Sequence, residues 1–427
     1  MSKNNKDFFK KKKEWSVVKD TLLACYLPQY FQKLLKTERP IYYVDCFAGK
    51  GKYDDGEEGS PLIAMKIRNE RLELSTAVQA KRPGAIQFCF IELNHAADLQ
   101  RHVDAFPCSF DKPEIISGRF EDHIRDKLRD KQGKNVFLYI DPYGIQALDS
   151  NLFLELQTYG FNSFEMLINF NSFGFFRDAC RVMKVDYTKD EAFLGLEDLV
   201  EYEPAEFDYS TSTGIEKSEK LLSSIAGGDY WKDIVRGFHN GDYDGYSAER
   251  RLSTAYREEL KKRHAYVLDM PIRMKQDSRP KYRMIHVSDH EAACFLMAEN
   301  MQNRKSELFI NVQQHGQMSI FDITPEYTSS VEGEVHTIDE IEEKIKKHIQ
   351  SCPHEIRYML FVAKFCNQYG LICDFDMIQD VLIKLETQGA IEIVREPAMT
   401  PTGTKKSSFW TDNDSKDKKV TIRRKSL

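Results

Sequence analysis

The chain has 427 residues, 41% of them hydrophobic and 12% aromatic, with a formal net charge of -6. That length and composition suit two or three domains with full cores and exclude a small disulfide- or metal-stapled scaffold; the net acidity excludes a surface coated uniformly for nucleic acid. No run approaches the roughly 18 apolar residues of a membrane span, and MSKNNKDFFKKKKEW lacks the apolar middle of a signal peptide, so a cytoplasmic protein without membrane contact is expected.

Lysines crowd residues 3 to 13, and KDKKVTIRRKSL ends the chain; residues 1–13 and 413–427 read as basic, solvated tails, with contact to phosphates as the alternative. Next, EWSVVKDTLLACYLPQYFQKLLK has helical spacing over 14–36, interrupted at Pro28. Strands then alternate with helices: IYYVDCF, AIQFCFIEL, PEIISGRF, NVFLYIDPYG and SFEMLINF are strands, joined by helical crossovers. Five strands so joined imply a parallel sheet covered on both faces. HAYVLDMPIRM and YRMIHVSDH, either side of the polar KQDSRPK, read as a hairpin at its edge, giving a seven-stranded, mostly parallel α/β sheet.

Between the fifth strand and the hairpin, about 171–262, helical pieces form an insertion placed to cover a substrate. The first domain is therefore expected over 14–312, a linker over 313–336, and three helices with a hairpin over 337–412, the pattern of a winged helix. The nine cysteines contain no CxxC pair and read as buried thiols of a reducing compartment. His286 and His290, at the ends of HVSDH, read as structural, and no metal is expected.

The chemistry concentrates in VDCFAGKGKYDDGEEGSPLIA, residues 44–64. Ligands of an open parallel sheet bind outside the carboxyl ends of its strands. Asp45 and Phe47 stand at such an end, Gly49 and Gly51 permit a sharp turn and a close approach, Ser60 reads as an N-cap and Pro61 as the first helical residue. The acidic KYDDGEEG that follows suits a cationic, phosphate-free cofactor such as S-adenosylmethionine better than a dinucleotide. On that reading Glu92, at the tip of the second strand, accepts from ribose hydroxyls, and Glu121 or Asp122 meets the adenine amine.

DPYG, at the tip of the fourth strand, resembles the (D/N/S)PP(Y/F) element of methyltransferases acting on exocyclic amines, without its second proline and with the aromatic one position early. It offers Asp141 and Tyr143 as catalytic or target-binding residues, or a turn that merely ends the strand. Asn169 and Asn171 add polar lining at the fifth tip. DCFAG followed by FPCSF brings a covalent cytosine mechanism to mind, but Cys108 falls between the second and third strands and reads as structural.

Together YVDCFAGKGKYDDGEEGSPLIA, YIDPYG, MLINF, YREELKKRHAYVLDMPI and YRMIHVSDHEAACFLM resemble the three-Cys-motif partner family (TcmP) over residues 15 to 395. The resemblance implies a Rossmann-like class I methyltransferase domain followed by a winged helix, beside a radical-enzyme-like protein carrying the three-cysteine motif. Asp45, Gly49 and Gly51 match its cofactor loop and Asp141 its strand-four acid; NSFGFFRDAC departs from its pattern. The expected function is methyl transfer from S-adenosylmethionine to a base of DNA or RNA, or else a non-catalytic adaptor for that partner; a dinucleotide-dependent oxidoreductase is disfavoured by the acidic loop. The winged helix is expected to touch nucleic acid or protein, its wing bearing Arg395, Lys405 and Lys406. Gln317 to Phe321, in QMSIFDI, is similar to a sliding-clamp docking peptide.

Overall fold

The computed structural model describes residues 9–75, 82, 84–107, 110–193, 207–273, 280–315, 327–329, 335–412 and 417–425. The chain divides by its contacts into Met1–Asp289 and His290–Leu427.

The first unit opens with α1 (Glu14–Leu35) and continues through β1 (Ile41–Asp45), α2 (Ser60–Leu74), β2 (Ile86–Glu92), α3 (Ala96–Ala105), β3 (Glu114–Ser117), α4 (Phe120–Arg129), β4 (Asn135–Ile140), α5 (Ser150–Leu156) and β5 (Ser163–Phe170). Every residue of β1 and β4 is buried. Strands covered on both faces show continuous apolar runs instead of alternation, which is why IYYVD and NVFLYI read as they do. α6 (Ser172–Val182), α7 (Ser212–Ala226), α8 (Tyr230–Asn240) and α9 (Gly245–Leu260) follow, then β6 (Tyr266–Arg273) and β7 (Pro280–Ser288).

The seven strands run in the order β3-β2-β1-β4-β5-β7-β6. β1 pairs in parallel with β2 on one side and β4 on the other, so the strand order reverses between β1 and β4. β7 pairs antiparallel with β6 at the sheet's edge, as the hairpin pattern predicts, and it is β7 that enters beside β5, leaving β6 outermost.

Pro28 lies inside α1 and does not interrupt it. A mid-helix proline costs about 3 kcal/mol. Tyr26, Leu27, Tyr30 and Phe31, all 2% exposed or less, bury the surrounding turns and offset that loss. Tyr26 donates to Glu165 of β5, and His286 Nε2 lies 3.2 Å from the same carboxylate, so His286 belongs to this buried interface. On the opposite face, α4, α5 and the inserted helices share one apolar core with β1, β4 and β5.

A buried ionic cluster ties the insertion to the hairpin. Arg283 of β7 grips Glu249 of α9 at 2.6 and 2.8 Å and Asp269 of β6 at 2.9 Å, and Arg257 reaches Asp269 at 2.7 Å. Burial alone would raise the Asp269 carboxyl; the two guanidinium groups overcome it and hold the carboxyl below its ordinary range.

The second unit begins with α10 (Glu291–His315), followed by β8 (Tyr327–Ser329), β9 (Val335–Thr337), α11 (Ile338–Ser351), β10 (Glu355–Arg357), α12 (Tyr358–Tyr369), α13 (Phe375–Thr387), β11 (Ile391–Glu396) and β12 (Lys419–Arg424). The sequence reading carries the first domain to residue 312, but α10 belongs here: Cys294 meets the Ala363 carbonyl at 3.6 Å, and Phe295 packs on Tyr358 and Phe375. Thr337 and Glu340 cap α11 reciprocally. The expected linker, 313–336, holds the end of α10, all of β8 and the start of β9.

The C-terminal basic tail is corrected in part. β12 forms the centre of a three-stranded antiparallel sheet, β10-β12-β11. Its KVTIRR alternates, sending Val420 and Ile422 inward at 0% and 1% exposure while Arg423 bridges Glu355 and Glu392. Among the described residues no helix is long and apolar enough to cross a membrane, and no group of three His, Cys, Asp or Glu could hold a metal ion. The eight described cysteines are free thiols; Cys108 lies outside the described residues.

Candidate active site

The loop after β1 is fixed from beneath by two carboxylates. Asp45 is fully buried; its Oδ2 accepts from the Ser60 hydroxyl at 2.6 Å and its Oδ1 from the Phe47 amide at 3.3 Å. Burial pushes the Asp45 carboxyl up to about 7, against the pull of those two donors. Glu92 accepts the Gly49 amide at 2.8 Å on one oxygen, and the Asn94 and His95 amides at 2.8 and 3.0 Å on the other. Both acids read from the sequence therefore hold the loop, one layer below the cleft surface.

Ser60 is not the N-cap. Gly59 takes that position with no side-chain cap, and the Ser60 hydroxyl serves Asp45 instead. Gly49 and Gly51 do adopt positive φ, +60° and +78°. The room left by their missing side chains is taken by the protein itself: a Cβ on Gly49 would lie 3.2 Å from the Phe9 ring, and one on Gly51 2.9 Å from Leu99.

Phe9 belongs to the segment read as a basic tail, and its placement corrects that reading for residues 9–13. Its carbonyl accepts from the Asp54 amide at 2.8 Å, and its ring meets His95 edge-on at 4.9 Å. The Lys12 amide donates to Asp55 at 3.0 Å, and its ammonium reaches the Glu58 carbonyl and Asp20, each at 2.6 Å. With its side chain 7% exposed, Lys12 is a bound cation, paired with Asp20 of α1 and tied to the loop through the Glu58 carbonyl.

α1 supplies the second cation. Lys19 donates to both oxygens of Asp141 at 2.7 Å and lies 5.1 Å from the centre of the Tyr282 ring. The Asn169 amide nitrogen, from the tip of β5, donates to Asp141 Oδ1 at 2.6 Å. Burial pushes the neighbouring Asp20 carboxyl up to about 6, with Lys12 pulling it down. Burial likewise raises the Tyr43 and Tyr139 hydroxyls, which sense Asp45 and Asp20.

These residues meet in one cleft at the strand-order reversal, where an open α/β sheet binds its ligands. Phe47, Gly49, Gly51, Asp141, Tyr143 and Asn169 line it. Six aromatic rings, Phe9, Trp15, Phe47, Tyr53, Tyr143 and Tyr282, surround its polar floor. Glu121 and Asp122 stand in the first turn of α4, outside the lining, and Asn171 instead caps α6 through the Gly174 amide. No described residue of the insertion lines the cleft; the segment from Phe9 to Asp20 covers it instead.

The sequence reading misses Lys12, Lys19 and Asp20. One signal was present: Ser16, Lys19, Asp20, Leu23, Leu27 and Tyr30 follow helical spacing on the buried side of α1. Charges on that stripe must be paired.

No family model matches the chain, so the resemblance to the three-Cys-motif partner family rests on the quoted motifs. No curated protein matches either. Among solved structures, a Legionella pneumophila protein described by the family model DUF519 is 8% identical with a TM-score of 0.33, over 70% of this chain and 91% of that one. The plantazolicin methyltransferase BamL, in complex with a triazolic desmethylPZN analog and SAH, is 11% identical with a TM-score of 0.28, over 65% and 87%. Likeness this low says nothing of this chain's activity.

Proposed function

We propose that the protein is an S-adenosylmethionine-dependent methyltransferase acting on an amine of a nucleic-acid base. One observation carries the reading: an aromatic-walled cleft lies at the strand-order reversal, with three carboxylates, Asp20, Asp45 and Asp141, on or just beneath its surface. Lys12 and Lys19 balance Asp20 and Asp141, so what supports the reading is the cleft's place at the strand-order reversal and its aromatic walls, which suit an adenosyl group and a flat acceptor. The Phe47–Gly51 loop, braced by Asp45 and Glu92, would hold the cofactor, which supplies an electrophilic methyl group when bound. Asn169, held in place by Asp141, orients the acceptor, the rim aromatics stack on its ring, and Phe9 and Trp15 help to exclude water. A base in a duplex would have to be turned out of the stack to enter.

The wider assignment belongs to the same proposal: a three-Cys-motif protein as partner, and nucleic-acid contact through the second unit read as a winged helix. In that unit Lys405 and Lys406 are exposed, whereas Arg395 is committed internally, donating to the Phe409 carbonyl at 2.9 Å and covering the Trp410 ring. The clamp-like stretch Gln317 to Phe321 lies outside the described residues.

A second reading, a non-catalytic adaptor, is favoured by one specific feature: Phe9 fills the space over Gly49, and Lys19 occupies both oxygens of Asp141. Calorimetric titration with S-adenosylmethionine, with NAD as control and Asp45→Ala as the variant, tests the proposal. Micromolar binding lost in the variant supports the methyltransferase; no binding, with or without the three-cysteine protein, leaves the adaptor. Asp141→Ala then abolishes methyl transfer in the first case and leaves partner binding intact.

A further inference from the structure

Asp141 is the acid that sequence patterns single out for the acceptor amine, yet its oxygens already serve Lys19 and Asn169. An acceptor without a partner lies on a different lining residue, just beneath the cleft surface and closed to solvent until a side chain over it moves aside. Asn169 is 2% exposed, and its Oδ1 has no hydrogen-bond partner. Its orientation is dictated by chemistry: a carboxylate held by an ammonium can only accept, so the amide must turn its NH2 to Asp141 and its oxygen away. A buried acceptor left unpaired is unfavourable until a donor reaches it. The surrounding rings of Trp15, Tyr143 and Tyr282 suit a flat partner.

We propose that Asn169 Oδ1 is the atom that reads an N–H of the acceptor, so that the cleft selects a planar, amine-bearing ring, and that Lys19 and Asp141 are positioning residues that fix the Asn169 amide. The proposal rests on the methyltransferase reading for its chemistry but not for its recognition, because it concerns only what the acceptor pocket accepts. Asp141→Asn makes a distinctive case. The new amide, held through its oxygen by Lys19, offers its NH2 to Asn169, which must turn its own oxygen inward and present a donor to the cleft.

The test uses the full chain and nucleoside probes: adenosine against purine riboside, and cytidine against the riboside of 2-pyrimidinone, pairs in which one member lacks the amine without added bulk. Affinities come from ligand-observed NMR, with S-adenosylhomocysteine binding and thermal melting measured on the same samples. The native protein is expected to prefer one amine-bearing nucleoside by about tenfold or more. Asn169→Leu, of similar size, brings the ratio to about one, and Asp141→Asn brings it to one or below with melting preserved. A native ratio of one, including undetectable binding of every probe, or a ratio unchanged in both variants, overturns the proposal. Loss of S-adenosylhomocysteine binding with the ratio intact would instead remove the methyltransferase reading and leave this one.

Discussion

Lys19 and Asp141, 122 residues apart in the chain, form a two-toothed contact in which one ammonium serves both carboxylate oxygens at 2.7 Å. The Lys19 side chain is 8% exposed and that of Asp141 22%. A fully buried pair broken on one side costs about 3–5 kcal/mol, and partial solvation of Asp141 reduces this. Lys19→Met should destabilise the first unit by about 1–3 kcal/mol, read from urea denaturation. Lys19→Met with Asp141→Leu should recover most of that loss.

Asp45 sets a pH dependence with a definite sign. Its unfolded carboxyl titrates near 3.8, its folded one at about 7, so the unfolded state binds fewer protons between these values. Stability conferred by the neutral folded form is full below the lower value and is lost as pH rises through the upper one. Relative to Asp45→Asn, the native protein should lose about 3–4 kcal/mol between pH 4 and 8. Unfolding curves at several pH values, taken as the difference between the two proteins, check this; a flat difference would refute it.

Gly51 and Gly56 separate strain from crowding. Both have positive φ, +78° and +94°, but a Cβ on Gly51 strikes Leu99 at 2.9 Å and one on Gly56 meets nothing within 4 Å. Gly56→Ala should cost about 1–2 kcal/mol, and Gly51→Ala about 2–4 kcal/mol once overpacking is added. Thermal melts of the two variants give the comparison.

Arg283 is 1% exposed between Glu249 and Asp269. Arg283→Met leaves Glu249 without its charged partner, and a loss of about 3–5 kcal/mol is expected. Arg283→Lys keeps the charge but not the fork, and should fall between the native protein and the methionine variant in equilibrium denaturation.

Ending the chain at Asp412 removes β12 and strips β10 and β11 of their common partner. The second unit should lose its cooperative unfolding transition while the first keeps its own, as resolved by calorimetry.

The sheet was legible because β1 and β4 are continuous apolar runs, and the hairpin because a polar turn separates two such runs. Glu92 was legible as an acid at a strand tip, though its partners are backbone amides, which leave no mark in the side-chain pattern. The cleft's cover was not legible. Lysines 10 to 13 look alike in sequence, and only the fold gives Lys12 the Asp20 carboxylate and the Glu58 carbonyl. β12 carried its signal openly, since VTI alternates within the basic run, but the surrounding charge obscured it. Ser60 was assigned by its local position when a residue 15 places earlier claimed its hydroxyl.

The placement of β7 between β5 and β6 bears on how the protein is made. Tyr282 follows Asp45 by 237 residues (282 − 45), roughly ten to fifty seconds of translation at about 5–20 residues per second. Until that strand emerges, β6 has no neighbour to join and Lys19 has no aromatic wall beside it. The cleft is thus among the last parts of the first unit to assemble on the ribosome, although its floor and its cover are among the first to be synthesised.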